Sequence, residues 1–319
     1  MEHRHATTAP CLACLTSGGS AEAGVLAAPL PGLDDPEGAY VPKDLPPVVD
    51  AHVHLFPPGV FRALWGWFDR YGWPIRYPLL AEQVVEHLSS RGVEHMVALH
   101  YAHRPGMARG LNAFVAGIAR DNARVTGLAT VLPGEQDAPQ ILREAFEAGL
   151  AGVKLHCHVQ AFAPDEPRLA ELYEVCVEYD RPMVIHAGRE PKSPAYPVDT
   201  YAVCAASRVE SVLSDFPGLK LCVPHLGADE FVEYARLMEC FEGLWLDTTM
   251  MLADYFPITS LEALRVCPQR VIYGSDFPNL PYAWDRELRK IRELGLSDEV
   301  LEGLVGGNAR RLYGIGLVQ

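Results

Sequence analysis

No apolar run in this chain approaches the roughly 18 residues needed to cross a bilayer. The N-terminus lacks a continuous hydrophobic stretch flanked by basic residues, so it makes a poor secretory signal. Basic charge is scarce: 27 Lys and Arg face 41 Asp and Glu, a formal net charge of -14. Without a basic stripe, nothing answers a phosphate backbone, and nucleic acid is not an expected partner. No Gly-rich phosphate loop follows an early strand, which tells against an open doubly wound sheet. Paired cysteine motifs are also few. Eight cysteines are scattered over the chain, and Cys176, Cys204, Cys222 and Cys240 lie in apolar segments, as buried thiols of a reducing compartment do. Cys11-x-x-Cys14 has neither a second CxxC nor a βαβ context, and reads as chance spacing. These absences point to a soluble, cytoplasmic protein with no membrane and no nucleic-acid partner.

What is present is ordinary globular composition, with 49% hydrophobic and 21% charged residues over 319 positions. Residues 1–45 are rich in Ala, Gly, Pro, Thr and Ser and have no steady period, so they read as a tail or wrapping arm. Residues 46–319 alternate apolar runs with amphipathic stretches. The runs are Val48–Val53, Met96–His100, Val125–Leu132, Gly152–His156, Met183–Ala187, Leu219–Pro224, Leu244–Asp247 and Val271–Gly274. Continuous hydrophobicity suits parallel strands buried on both faces. Helices are expected over Leu80–Ser90, Ala138–Ala148 (with Asp137 as N-cap), from Asp165 onward, and over Glu230–Phe241, Leu261–Val266 and Trp284–Leu294. Eight such β/α units predict an α/β fold, a (β/α)8 TIM barrel with an irregular N-terminal arm. The loop after the first strand, with Phe56, Phe61, Trp65, Trp67, Phe68, Tyr71, Trp73 and Tyr77, is expected to be long and aromatic. It would serve as a pocket wall or as a surface clamp.

Asp50-Ala-His52-Val-His54 closes the first run. On a strand, alternate side chains share a face, so two imidazoles projecting together make half of a metal site. Later runs end in polar residues: Lys154 and His156 on the fourth, His186 on the fifth, His225 on the sixth and Asp276 after the eighth. In a barrel, strand C-termini converge on one mouth, so residues far apart in sequence can meet around one ion. His87 and His95 lie in or beside a helical stretch, where solvation is the expected role.

With those motifs in view, the chain resembles the amidohydrolase superfamily. It is most similar to the branch of TIM-barrel metal-dependent hydrolases that includes aminocarboxymuconate semialdehyde decarboxylase. The motifs are Asp50-Ala-His52-Val-His54, Gly152-Val-Lys154-Leu-His156, Pro182-Met-Val-Ile-His186-Ala-Gly188, His225-Leu-Gly227, Tyr273-Gly-Ser-Asp276-Phe-Pro278 and Gly307-Asn308-Ala309-Arg310-Arg311-Leu312. The resemblance covers roughly residues 48 to 314. It implies that His52, His54, His186 and Asp276 hold one divalent metal, most often zinc, with His225 as a catalytic or supporting histidine. In binuclear relatives a lysine on the fourth strand is carboxylated and bridges two metals. Lys154 sits in that region, though the mononuclear branch does not need it, and Cys157 stands where a proline is common.

Hydrolysis of a small ester, lactone or amide by a metal-activated water is the leading expectation, with Asp276 as base then acid and His225 polarising the carbonyl. Lys154, His156, His100 and Arg189 are then candidates for binding an anionic group of a small-molecule substrate. Non-oxidative decarboxylation of an aromatic or unsaturated carboxylic acid is the alternative, mildly favoured by the aromatic loop. A non-catalytic barrel is the third reading, and the intact set of His52, His54, His186, His225 and Asp276 argues against it. A homo-oligomer formed by exchange of the tail stays open.

Overall fold

The structure is a computed structural model and describes residues 32–189, 193, 195–253 and 261–316. Each of the eight apolar runs coincides with a strand to within a residue or contains one. They are β1 (Val49–His54), β2 (His95–Leu99), β3 (Val125–Gly127), β4 (Val153–His156), β5 (Met183–His186), β6 (Leu221–Val223), β7 (Leu244–Asp247) and β8 (Val271–Ile272). All pair in parallel with their sequence neighbours, as β1-β2-β3 and β4-β5-β6-β7-β8. Two single bridges join the halves: Ala129 to Val153 between the third and fourth strands, and Val53 to Phe277 between the eighth and the first. The ring is thereby closed, and all eight strands run toward one mouth.

Side-chain alternation splits each strand between two layers. Outward residues such as Val53, Met96, Ala98, Leu155, Ile185, Val223 and Leu246 pack under the helices. Inward residues Val49, Val97, Val184, Cys222, Trp245 and Ile272 fill the lower barrel. Ala309, Leu312 and Tyr313 of the last helix (Asn308–Tyr313) join this inner cluster. The upper end of the same inward columns carries Lys154 and His156 on β4, His186 on β5 and Asp247 on β7. An apolar base thus supports a polar top.

β1 departs from simple alternation. Asp50 pairs with Met96 but Val53 pairs with Ala98, so β1 contains one residue more than β2 over this stretch. A bulge of this kind re-aims the residues after it. Here it puts Val53 in the outer layer while His54 comes into register with Leu99, which belongs to the inner cluster.

Three expectations need correction. The segment after β1 is not a loop throughout: Pro58–Tyr71 forms a helix of 14 residues, α1. Pro58 opens it, where its missing N–H costs nothing, and Val60, Phe61, Leu64, Trp65 and Phe68 recur at helical spacing on its inner side. Asp137 makes no capping hydrogen bond to its helix, because its carboxylate is turned to Arg109 at 2.6 Å. His87 is half-buried and His95 buried, so neither is a freely solvated ring. His87 stacks on Phe277 at 4.9 Å between centroids, and His95 is buried and bonded to Thr126 at 2.8 Å.

Of the N-terminal arm, residues 32–45 lie along the barrel. Asp35 pairs with Arg286 at 2.8 Å, Glu37 with Arg76 at 3.1 Å, and the Gly38 N–H donates to Asp285 at 2.9 Å. His3, His5, Cys11 and Cys14 lie outside the described residues. Among the described residues, no helix is long and apolar enough to cross a membrane.

Candidate metal centre

Every polar residue singled out at a strand end lies at the barrel mouth or lines its upper interior. The backbone there is strained. His225, Leu226, Ala228, Met250 and Asp276 all have φ between 49° and 73°, a region that side chains with a Cβ seldom adopt. Such conformations persist only where the surroundings hold them, and they cluster at functional sites.

His52, His54 and Asp276 form one group. Asp276 Oδ1 lies 2.8 Å from His54 Nε2 and 3.4 Å from His52 Nε2. A tetrahedral ion with bonds of about 2.1 Å needs donor atoms roughly 3.4 Å apart, so this two-nitrogen, one-oxygen set fits a divalent metal. The group is held from behind. His52 Nδ1 is 2.8 Å from Asp247 Oδ2, and Asp247 Oδ1 accepts the backbone N–H groups of His225 and Thr249, each at 3.1 Å. Asp50 Oδ1 accepts the N–H of His52 at 3.2 Å and that of Ser275 at 3.0 Å, tying β1 to the segment that carries Asp276.

The electrostatics follow from burial and these partners. Burial and the charge of Lys154 push the His52 pKa down to about 4 against the pull of Asp247 and Asp276, so the ring is neutral near pH 7. Burial works to raise the pKa of Asp276. The charge and hydrogen bond of His54, with His52 and His225, outweigh it and hold the carboxyl down at about 2. Burial also opposes ionisation of Asp247, yet its contacts with His52, His225 and Thr249 keep its pKa far below the usual carboxylate range. With Asp247 ionised, the His52 proton belongs on Nδ1 and the Nε2 lone pair faces Asp276.

His186 is brought elsewhere. Its ring stacks on His156 at 4.0 Å with 7° between planes, lies 5.0 Å from His158, and its Nδ1 is 3.3 Å from His225 Nε2. His156, His158 and His186 make a second group whose ligand atoms all lie within 4.8 Å of one another. His225 stands between the groups, 4.6 Å from the His186 ring and 5.9 Å from the His52 ring.

Lys154 is fully buried in the barrel interior. His100 is buried with Nε2 3.0 Å from Asn112 Oδ1, and burial holds its pKa at about 4. Arg189 lies at the rim, paired with Glu230 at 3.2 Å and set over the Tyr201 ring. Residue-by-residue reading missed Asp247 and Tyr101 and gave His158, just past the end of the fourth run, no role. Asp247 ends an apolar strand, the same signal that marked His186. His158 repeats the His-x-His spacing of β1 one residue after Cys157. Tyr101 follows β2 and touches both groups, 5.9 Å from the His54 ring and 5.1 Å from that of His156.

Solved structures with this barrel are numerous. 5-Carboxyvanillate decarboxylase from Sphingomonas paucimobilis is 18% identical, with a TM-score of 0.64, over 84% of this chain and 99% of that one. 5-Carboxyvanillate decarboxylase from Novosphingobium aromaticivorans, complexed with manganese and 4-hydroxy-3-methoxy-5-nitrobenzoic acid, is 16% identical, with a TM-score of 0.63, over 88% and 99%. 2,6-Dihydroxybenzoate decarboxylase from Rhizobium is 15% identical, with a TM-score of 0.64, over 84% and 98%. At these identities the likeness shows the fold. No curated protein matches the sequence. Residues 49–315 match the amidohydrolase family, spanning the whole barrel from β1 to the last helix, and the chain belongs to that family.

Proposed function

We propose that the protein is a metal-dependent, non-oxidative decarboxylase of an aromatic carboxylic acid. His52, His54 and Asp276 hold one divalent ion, and Asp276 and His225 handle protons. The observation that carries this reading is the aromatic wall against the donor group. Phe56 stacks on His54 at 5.8 Å and 8°, Tyr101 meets both edge-on, and Phe61 and Trp65 continue the wall from α1. Ring faces and edges set beside the donor group suit a flat ring. The solved relatives named for 5-carboxyvanillate and 2,6-dihydroxybenzoate support the same reading, which places decarboxylation ahead of the hydrolysis expected from the motifs.

Zinc was the expected ion. Two imidazoles and a carboxylate accept manganese as well, the metal in one relative, so the ion is proposed as divalent zinc or manganese. When bound, it supplies positive charge that draws electron density from substrate oxygens. Lys154 deepens the positive potential of the interior, since its charge is felt at His52. His100, kept neutral by burial, and His156 are proposed as hydrogen-bonding groups, and Arg189 as a rim cation shared with Glu230. In the reaction, the bond from ring carbon to carboxylate breaks, and its electron pair stays on the ring carbon. A proton from Asp276 or His225 forms the new C–H bond, and carbon dioxide leaves. Asp276 starts as a carboxylate, so it takes that proton from solvent or from the substrate before passing it on.

The ionised state of Asp276 equally suits a base that activates water, which keeps hydrolysis as the competing reading. The test is a panel of ortho-hydroxy aromatic acids beside esters, lactones and amides, offered to the metal-loaded full chain. Carbon dioxide released one for one with an aromatic acid is the expected result. Acid release from an ester, lactone or amide, with no carbon dioxide from any acid, would overturn decarboxylation in favour of hydrolysis.

A further inference from the structure

The peptide unit between Thr249 and Met250, just past the end of β7, is gripped from both sides. Its carbonyl oxygen lies 2.9 Å from His225 Nδ1. A carbonyl oxygen can only accept, so a neutral His225 carries its proton on Nδ1 and leaves Nε2 as the acceptor nitrogen, 3.3 Å from His186 Nδ1. The N–H of the same unit belongs to Met250 and donates to Glu287 Oε2 at 3.2 Å. The unit is trans, and in a trans peptide these two groups point in opposite directions. Glu287 and His225 therefore face each other across one rigid plane. Glu287 Oε1 also accepts the Leu252 N–H at 2.9 Å, and Asp247 Oδ1 takes that of Thr249 at 3.1 Å. Glu287 sits in the first turn of the helix Arg286–Glu293 and is buried, at 2% exposure.

Met250 has a φ of 63°, which is strained for a residue with a Cβ. Turning the Thr249–Met250 plane over would bring that angle into the ordinary negative range and aim the carbonyl away from His225. The observed orientation is thus the locally costly one, and groups outside the segment must hold it. We infer that Glu287 is a positioning residue: by fixing the Thr249–Met250 peptide it sets the tautomer of His225 and makes Nε2 the nitrogen that exchanges protons. Burial drives Glu287 strongly toward its neutral form against the pull of the Leu252 and Met250 N–H groups, and Asp247 and Asp50 add to it. Each carboxyl oxygen keeps a lone pair to accept with in either form, so the grip does not depend on charge. The tautomer matters to turnover only under the decarboxylase reading, in which His225 handles a proton. The grip itself is independent of substrate.

The experiment reads the His225 ring by long-range ¹H–¹⁵N correlation in the zinc-loaded full chain with ¹⁵N-labelled histidine. Protonated and bare ring nitrogens resonate far apart, and the His225 signals are assigned by their absence in His225→Gln. Wild type should show Nδ1 protonated and Nε2 bare. Glu287→Met fills the space but accepts nothing, so His225 should move to the Nε2–H form or to a mixture of the two. Its kcat for carbon dioxide release from an aromatic acid should fall by at least about tenfold at unchanged KM. Glu287→Gln keeps one accepting oxygen and should fall between. An Nε2–H form in wild type would overturn the role of Glu287. So would wild-type His225 signals in Glu287→Met, since lost stability alone would mark a structural prop. Should Glu287→Met not fold, Glu287→Gln decides by the same signals: a second His225 tautomer upholds the role, and its absence overturns it. If wild type decarboxylates no aromatic acid, the decarboxylase reading fails while the ring signals still judge Glu287.

Discussion

His52 Nδ1 lies 2.8 Å from Asp247 Oδ2, and the other oxygen of the same carboxylate takes the backbone N–H of His225. One side chain at the end of β7 therefore sets the tautomer of a proposed metal ligand and the seat of a proposed catalytic histidine. Asp247→Asn keeps the shape but removes the charge that fixes the His52 proton. Metal affinity, measured by competition with a chromophoric chelator, should fall about 10- to 100-fold while the barrel stays folded. Unchanged affinity would mean that Asp247 serves the backbone alone.

His52→Ala removes a donor from a buried set and opens a small polar gap. Activity should be lost, with circular dichroism and the cooperative melt retained. Residual turnover after complete metal removal would show that the donor set is misassigned.

Gly274 precedes Ser275 and Asp276, and a Cβ there would meet His52 Cβ and Thr249 Oγ1, each at 2.6 Å. Both contacts are to groups anchored by Asp247, so neither yields easily. Gly274→Ala should cost about 1–3 kcal/mol in urea denaturation, typical of overpacking, and weaken metal binding alongside. Full stability with full affinity would contradict the packing described for β8 against β1.

Much of this arrangement is legible in the sequence, for a physical reason. Strands buried on both faces must be continuously apolar, so all eight stand out, and a polar residue at the end of such a run marks the mouth. Other features leave weaker traces. The β1 bulge depends on pairing with β2, which no local pattern announces. The helix α1 hides behind closely spaced aromatics, Trp65-Gly-Trp67-Phe68, that read as a loop. His87 is half-buried because Tyr77, Phe277 and Trp284 arrive from distant segments. His186 lies beside His156 because β4 and β5 pair in the register that sets these two residues opposite each other, which spacing along the chain does not announce.

Glu230 offers a pH signature away from the proposed metal site. Burial raises its pKa to about 7, with Arg189 and the Ala206 N–H only partly offsetting it. The folded state then binds more protons than the unfolded chain between the ordinary carboxylate pKa of about 4.3 and about 7. This contribution to stability is present below that window and is lost as pH rises through it. Glu230→Gln should flatten this part of the stability–pH curve, measured by denaturant melts from pH 4 to 8. An identical slope in both proteins would show that Glu230 titrates normally.

The central claim is that His52, His54 and Asp276 hold a divalent ion. Manganese tests it most directly, because two imidazoles and a carboxylate accept that ion, the metal in one relative. The full chain is stripped, loaded with Mn²⁺ and dialysed, and its metal content is counted beside His54→Ala, Asp276→Asn and His158→Ala. One equivalent in wild type and in His158→Ala, with none in His54→Ala or Asp276→Asn, is the predicted result. Manganese retained by His54→Ala and Asp276→Asn, or absent from wild type, would contradict it.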